Sequence, residues 1–86
     1  MNISIDISMY PLKESFEQPI VEFIKALRAS GLTVEENGLS TQLFGPYDQV
    51  MDLLKDRMHE TLLDQEHCVF TLKVVSGDRS NHAAAY

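Results

Sequence analysis

Hydroxyl-bearing and amide-bearing side chains gather at two places in this chain. Ser8 and Tyr10 stand at the end of an alternating apolar and polar run, directly before Pro11. Asn37, Ser40 and Thr41 stand together in Asn37-Gly38-Leu39-Ser40-Thr41. A hydroxyl both donates and accepts hydrogen bonds, and one that lies beneath helices must find a partner, either a ligand or the protein itself. The bland alternatives are a Thr hydroxyl bonded to a nearby backbone carbonyl and an Asn that serves only its turn.

Residues better suited to catalysis or metal binding form no constellation. His59, His67 and His82 have no metal-ligand spacing. Cys68 is the one cysteine and sits in an apolar run, which reads as a buried structural thiol; a lone thiol excludes an intrachain disulfide and fits a reducing, cytoplasmic setting. Glu35-Glu36 can form a carboxylate pair, but a charged sheet edge that discourages aggregation explains it as well. The loop after the first strand, Pro11-Leu12-Lys13-Glu14-Ser15, has one Lys beside a Glu and lacks the basic, Gly-rich character of an anion cradle.

The elements that carry these residues follow from periodicity. Ile3, Ile5, Ile7 and Met9 alternate with polar neighbours, which predicts a half-buried strand ended by Pro11. Ser15 and Gln18 have capping-box spacing, and Ile20, Phe23, Ile24 and Leu27 form one helical stripe stopped by Gly31. Leu32 to Glu36 predicts a second strand. Asn37-Gly38 predicts a two-residue type I′ turn, and Leu39 to Phe44 the third strand. Pro46 suits the first position of a second helix, whose stripe is Val50, Leu53, Leu54, Met58 and Leu62. Cys68 to Val75 predicts the last strand.

The order strand, helix, strand, strand, helix, strand predicts an α+β ferredoxin-like sandwich: a four-stranded antiparallel sheet with two helices on one face. The domain is expected over residues 1–79, with 80–86 as a flexible tail. The other sheet face should then expose Ser4, Asp6, Ser8 and Tyr10 from the first strand and Val69 and Val75 from the last. A partly apolar face of that kind invites a homodimer or homotetramer. In the third strand, Leu39, Thr41 and Leu43 share one face, and Ser40, Gln42 and Phe44 the other. Only one of Ser40 and Thr41 can lie beneath the helices, and its apolar companions favour Thr41. A register slip by one residue exchanges them.

At 86 residues and 44% hydrophobic, the chain has ordinary composition for one small domain. Its formal charge of −6 argues against nucleic acid, which demands Lys and Arg, and is compatible with a cationic ligand or with simple solubility. No apolar stretch is long enough to span a membrane, and the N-terminus shows no basic region followed by an apolar run.

Two segments carry a family resemblance. Ile7-Ser8-Met9-Tyr10-Pro11-Leu12 resembles the Ser-Leu-Tyr-Pro-hydrophobic signature ending the first strand of the YkoF-type thiamine-binding family. Asn37 to Gly45, followed by Tyr47-Asp48-Gln49-Val50, resembles the second signature, where a Ser-Thr pair precedes the Gly that starts the second helix. Phe44 departs from that pattern, since a polar or basic residue can stand there. The resemblance implies a small ferredoxin-like domain that associates into dimers or tetramers. It implies a non-enzymatic protein that binds thiamine or its hydroxymethylpyrimidine moiety in salvage, delivery or sensing, with no further cofactor. Ser8 and Thr41 would hydrogen-bond the aminopyrimidine, with Tyr10 stacking, Asn37 adding a polar contact and Ser40 replacing Thr41 if the register differs. The alternative is an oligomeric structural or regulatory module that binds another small ligand or none.

Overall fold

The structure is a computed structural model that describes residues 1–81. The elements run β1 (Asn2–Pro11), α1 (Glu17–Ala29), β2 (Thr33–Glu36), β3 (Thr41–Pro46), α2 (Tyr47–Asp64) and β4 (Cys68–Ser76). The strands form one antiparallel sheet in the order β2-β3-β1-β4. This is the expected ferredoxin-like α+β fold. Both crossovers skip a strand, so β1 and β3 are the central pair and both helices lie on one face.

The core lies between that face and the helices. Ile3, Ile5, Ile7 and Met9 of β1 pack with Leu43, with Phe23 and Leu27 of α1, and with Val50 and Leu54 of α2. Alternation along β1 puts these four side chains on one face, and the α1 stripe meets them from above. Phe23 and Phe70 meet with ring centroids 5.0 Å apart at 48°, a tilted aromatic contact that ties α1 to β4. At Gly45 a Cβ would stand 3.0 Å from Leu32 Cδ2 and 3.3 Å from Val50 Cγ2, so any larger residue there must displace these two side chains by a few tenths of an ångström.

Several local expectations are corrected. Ser15 does not cap α1: the helix starts at Glu17, Phe16 holds the N-cap position, and no side chain caps it. β1 does end at Pro11, which is its last paired residue, opposite Cys68, and Leu12 N–H still donates to the His67 carbonyl at 2.8 Å. The missing proline donor would point away from β4, where β3 has already ended, so nothing is lost. Asn37-Gly38 is no type I′ turn, which needs two positive φ angles. The positive φ angles are at Gly31 and Gly77. The connection is instead residues 37–40, and β3 starts at Thr41 with Leu39 90% exposed. Pro46 is the extended residue just before α2 rather than its first helical one. Leu62 is exposed, because the last turns of α2 run beyond the sheet.

The outer sheet face is not uniformly open. Ser4 is buried beneath the segment after β4: its hydroxyl donates to the Gly77 carbonyl at 2.8 Å and accepts from Arg79 N–H at 2.8 Å. Phe44, its cross-strand partner, is also buried. Asp6, Ser8 and Tyr10 keep the expected exposure in part, as do Val69 and Val75. Ser80 is described and bonds to the Asp78 carboxylate; the rest of the expected flexible tail, residues 82–86, lies outside the described residues. Among the described residues, no helix is long and apolar enough to cross a membrane.

Candidate functional site

The register of the central strands creates the site. Pairing of β1 with β3 stops at Ile7↔Thr41, yet β1 continues to Pro11 along β4. Asn2 O bonds towards β4 and Met1 O towards the β3 side. By alternation, Met9 N–H and C=O therefore point to the β3 side, beyond the end of that strand. Instead of another strand, a cavity of ≈ 300 Å³ lies there.

Its walls come from three elements and one loop. Ile7 to Tyr10 of β1 form one side, Ile20, Phe23 and Ile24 of α1 the roof, and Glu36 to Thr41 the other side. The volume is at the lower end of small-molecule sites, and the mostly apolar lining with a few polar groups is typical of them. All five residues singled out from the sequence, Ser8, Tyr10, Asn37, Ser40 and Thr41, line this cavity.

Their freedom to contact a ligand differs. Thr41 is the one that lies beneath the helices, sharing the face of its partner Ile7. The residue is only 8% exposed. Its hydroxyl makes no protein hydrogen bond among the described residues, and no buried polar side-chain atom there is left without a partner, so the hydroxyl keeps contact with solvent and is open to a ligand. Ser8 also has a hydroxyl without a protein partner among the described residues, but alternation sets it on the outer face opposite Thr71. The two residues thus line the cavity from β1 and β3, with their side chains on opposite faces of the sheet. Tyr10 is half exposed at the mouth.

Ser40 and Asn37 are engaged by the protein. The Ser40 hydroxyl donates to Asp6 Oδ1 and accepts from Gln42 Nε2 at 2.7 Å; Gln42 also donates to Asp6 Oδ1 at 3.2 Å. The Ser40 bond, then Gln42, and more weakly the charge of Lys73 hold the Asp6 carboxyl below the usual carboxylate range. Asn37 Oδ1 accepts the N–H groups of Leu39 at 2.8 Å and Ser40 at 3.2 Å, which shapes the loop beside the cavity.

Glu36 was read from sequence as a charged edge or half of a carboxylate pair, and the structure makes it part of the cavity wall. It is the cross-strand partner of Thr41, so the two share the helix side, while Glu35 faces outward beside Gln42. Alternation therefore rules out a Glu35–Glu36 dyad. The signal was present in the sequence as strand parity, but only the register links Glu36 to Thr41.

Other features lack this character. A groove of ≈ 250 Å³ between the helices is lined by Glu22, Glu60 and Asp64 with Arg57, but Arg57 is paired with Glu60 at 3.0 Å. Burial pushes the Cys68 thiol up, the opposite of what an activated thiolate needs. Among the described residues no three His, Cys, Asp or Glu side chains converge as a metal site.

The chain is similar to known proteins in sequence family and in fold. The model of a family described as "Thiamine-binding protein" matches residues 5–84. The fold is similar to that of a Thermotoga maritima protein provisionally assigned to thiamine biosynthesis or salvage, at 18% identity and a TM-score of 0.81, covering 90% of this chain and 85% of that one. It is also similar to a hypothetical protein from Methanocaldococcus jannascii, at 23% identity and a TM-score of 0.77, covering 95% and 87% of the two chains. A domain of unknown function from Bacillus cereus aligns at 17% identity with a TM-score of 0.75, over 99% of this chain and 84% of that one. None of the curated proteins compared matches the sequence.

Proposed function

This chain belongs to the thiamine-binding protein family, and on that premise we propose that it binds thiamine or its hydroxymethylpyrimidine moiety in the cavity beneath α1. It binds the molecule without transforming it, in vitamin salvage, delivery or sensing in the cytoplasm. The observation that carries this reading is the cavity with Thr41 in its wall: the residue is largely buried, and its hydroxyl makes no protein hydrogen bond among the described residues and stays open to solvent. In an assembly module with no ligand, that hydroxyl would be bonded to the protein and the space around it filled.

The chemistry fits an aminopyrimidine. Such a ring offers an exocyclic amine as donor and ring nitrogens as acceptors, and one hydroxyl can serve either. Thr41 supplies that hydroxyl from the helix side and Ser8 from the sheet end. The backbone edge of Met9 adds one donor and one acceptor. Phe23 and the aliphatic roof bury the ring faces, and Tyr10 can cover the ring at the mouth. Ser40 and Asn37 act through the loop they hold rather than by direct contact.

The exposed apolar side chains of the outer face, Tyr10, Val69 and Val75, support association of two copies through that face. Sedimentation should then give a dimer or a tetramer, and a monomer at micromolar concentration would refute it.

Calorimetric titration with thiamine and, separately, with hydroxymethylpyrimidine tests the function. Saturable binding of either, weakened in Thr41→Ala, is the expected result. No heat with either ligand and a folded protein would refute the reading.

A further inference from the structure

We propose that Glu36 is the ligand-recognising carboxylate of the cavity, accepting the amine-bearing edge of the aminopyrimidine, and that Arg28 occupies it in the free protein. This rests on the reading of the cavity as an aminopyrimidine site.

Three observations converge on Glu36. It is the only acidic residue in the cavity wall, where Asn37 Oδ1 accepts two loop N–H groups and the Ser40 hydroxyl donates to Asp6 and accepts from Gln42. It stands directly opposite Thr41 on the same face, which sets the two Cβ atoms about 4.5–5.5 Å apart. That pairs an acceptor-only carboxylate with the Thr41 hydroxyl, which makes no protein hydrogen bond among the described residues and stays open to solvent. A hydroxyl next to a carboxylate is complementary to an amine beside a ring nitrogen: the carboxylate takes the amine N–H, and the hydroxyl donates to the nitrogen.

The third observation is the group that Glu36 already holds. Arg28, on α1 one turn beyond Ile24, places its guanidinium on the Glu36 carboxylate. A guanidinium is a planar, delocalised set of N–H donors. Its place on Glu36 shows the chemistry which that carboxylate accepts, and the amine edge of an aminopyrimidine is the neutral, planar counterpart. The Arg28 and Glu36 side chains are 52% and 38% exposed, so the pair is a surface ion pair that is easily exchanged. Arg28 does not line the cavity. It can release the carboxylate into solvent without opening the core.

The test uses the full-length protein, with thiamine and hydroxymethylpyrimidine as probes. Glu36→Gln keeps the shape and one acceptor but removes the charge. It should weaken both ligands alike, by about tenfold, because a hydrogen bond to a charged group is lost. Arg28→Ala should tighten both by up to about fivefold, since it removes a competitor whose pairing is weak; a merely structural role for the pair predicts no tightening. Unchanged affinity in Glu36→Gln, with wild-type binding intact, overturns the role of Glu36 and leaves the proposed function standing. Weakening of thiamine alone overturns the amine-edge assignment in favour of pairing with the thiazolium cation. Weakened binding in Arg28→Ala overturns the exchange. No binding of either probe by the wild type overturns the proposed function and this inference together.

Discussion

Thr41→Val separates the two things a buried hydroxyl can do. The substitution replaces a hydroxyl by a methyl of nearly the same size at a residue only 8% exposed. No protein hydrogen bond to the Thr41 hydroxyl is lost in the free protein, since none is made among the described residues, and the hydroxyl is hydrated, because no buried polar side-chain atom there lacks a partner. The substitution gives up that hydration and gains at most one methyl's worth of apolar burial, about 0.8 kcal/mol at full burial. Stability should therefore stay level or rise by up to ~1 kcal/mol, read as an unchanged or higher urea midpoint at constant m-value. In the complex the hydroxyl bonds the ligand, so binding loses about 0.5–1.5 kcal/mol, a weakening of roughly 2- to 13-fold by calorimetry. The two effects have opposite signs. A fall in stability of more than ~1 kcal/mol would mean that the hydroxyl serves the protein, and unchanged affinity would mean that it does not serve the ligand. Either result refutes the argument from the cavity.

Asp6→Asn tests the outer-face network. Because the folded state holds the Asp6 carboxyl low, its contribution to stability is complete above the ordinary carboxylate range and is lost as the pH falls through the lowered folded value. Urea midpoints should show Asp6→Asn less stable than wild type at pH 7, with the gap closing below about pH 4; a constant gap would refute the network. Gly45→Ala forces a Cβ against Leu32 and Val50 at 3.0 and 3.3 Å. It should cost about 1–3 kcal/mol in the same assay, while a neutral result would show that both side chains yield freely. Leu27→Ala, at a site with no exposure, should cost about 2–5 kcal/mol, and less than 1 kcal/mol would refute the packing of α1 on the sheet.

Much of the architecture is legible in short-range periodicity. The alternation of Ile3, Ile5, Ile7 and Met9 defines β1 and its buried face, and the spacing of Phe23 and Leu27 defines the inward side of α1. Each pattern is local, and burial at period 2.0 or 3.6 leaves little freedom. End signals are less secure, because they compete with tertiary contacts. Ser15 has capping spacing, yet α1 begins after it. Asn37-Gly38 has the composition of a tight turn, yet the Asn37 side chain bonds Leu39 and Ser40 and widens the connection to four residues. Ser4 has the parity of an exposed residue, yet the chain after β4 folds over it.

By itself, the sequence determined the order of the elements, the faces within each strand, and the candidate hydroxyls Ser8 and Thr41. Parity within a strand is set by backbone geometry, so it needs no partner. The tertiary structure alone decided what stands next to what. The stop of pairing at Ile7↔Thr41 opens a cavity where β1 runs on, and the pairing Glu36↔Thr41 puts a carboxylate beside the free hydroxyl. Register is a relation between residues distant in the chain. It is chosen by the whole set of backbone hydrogen bonds and side-chain packing, and no local pattern contains it.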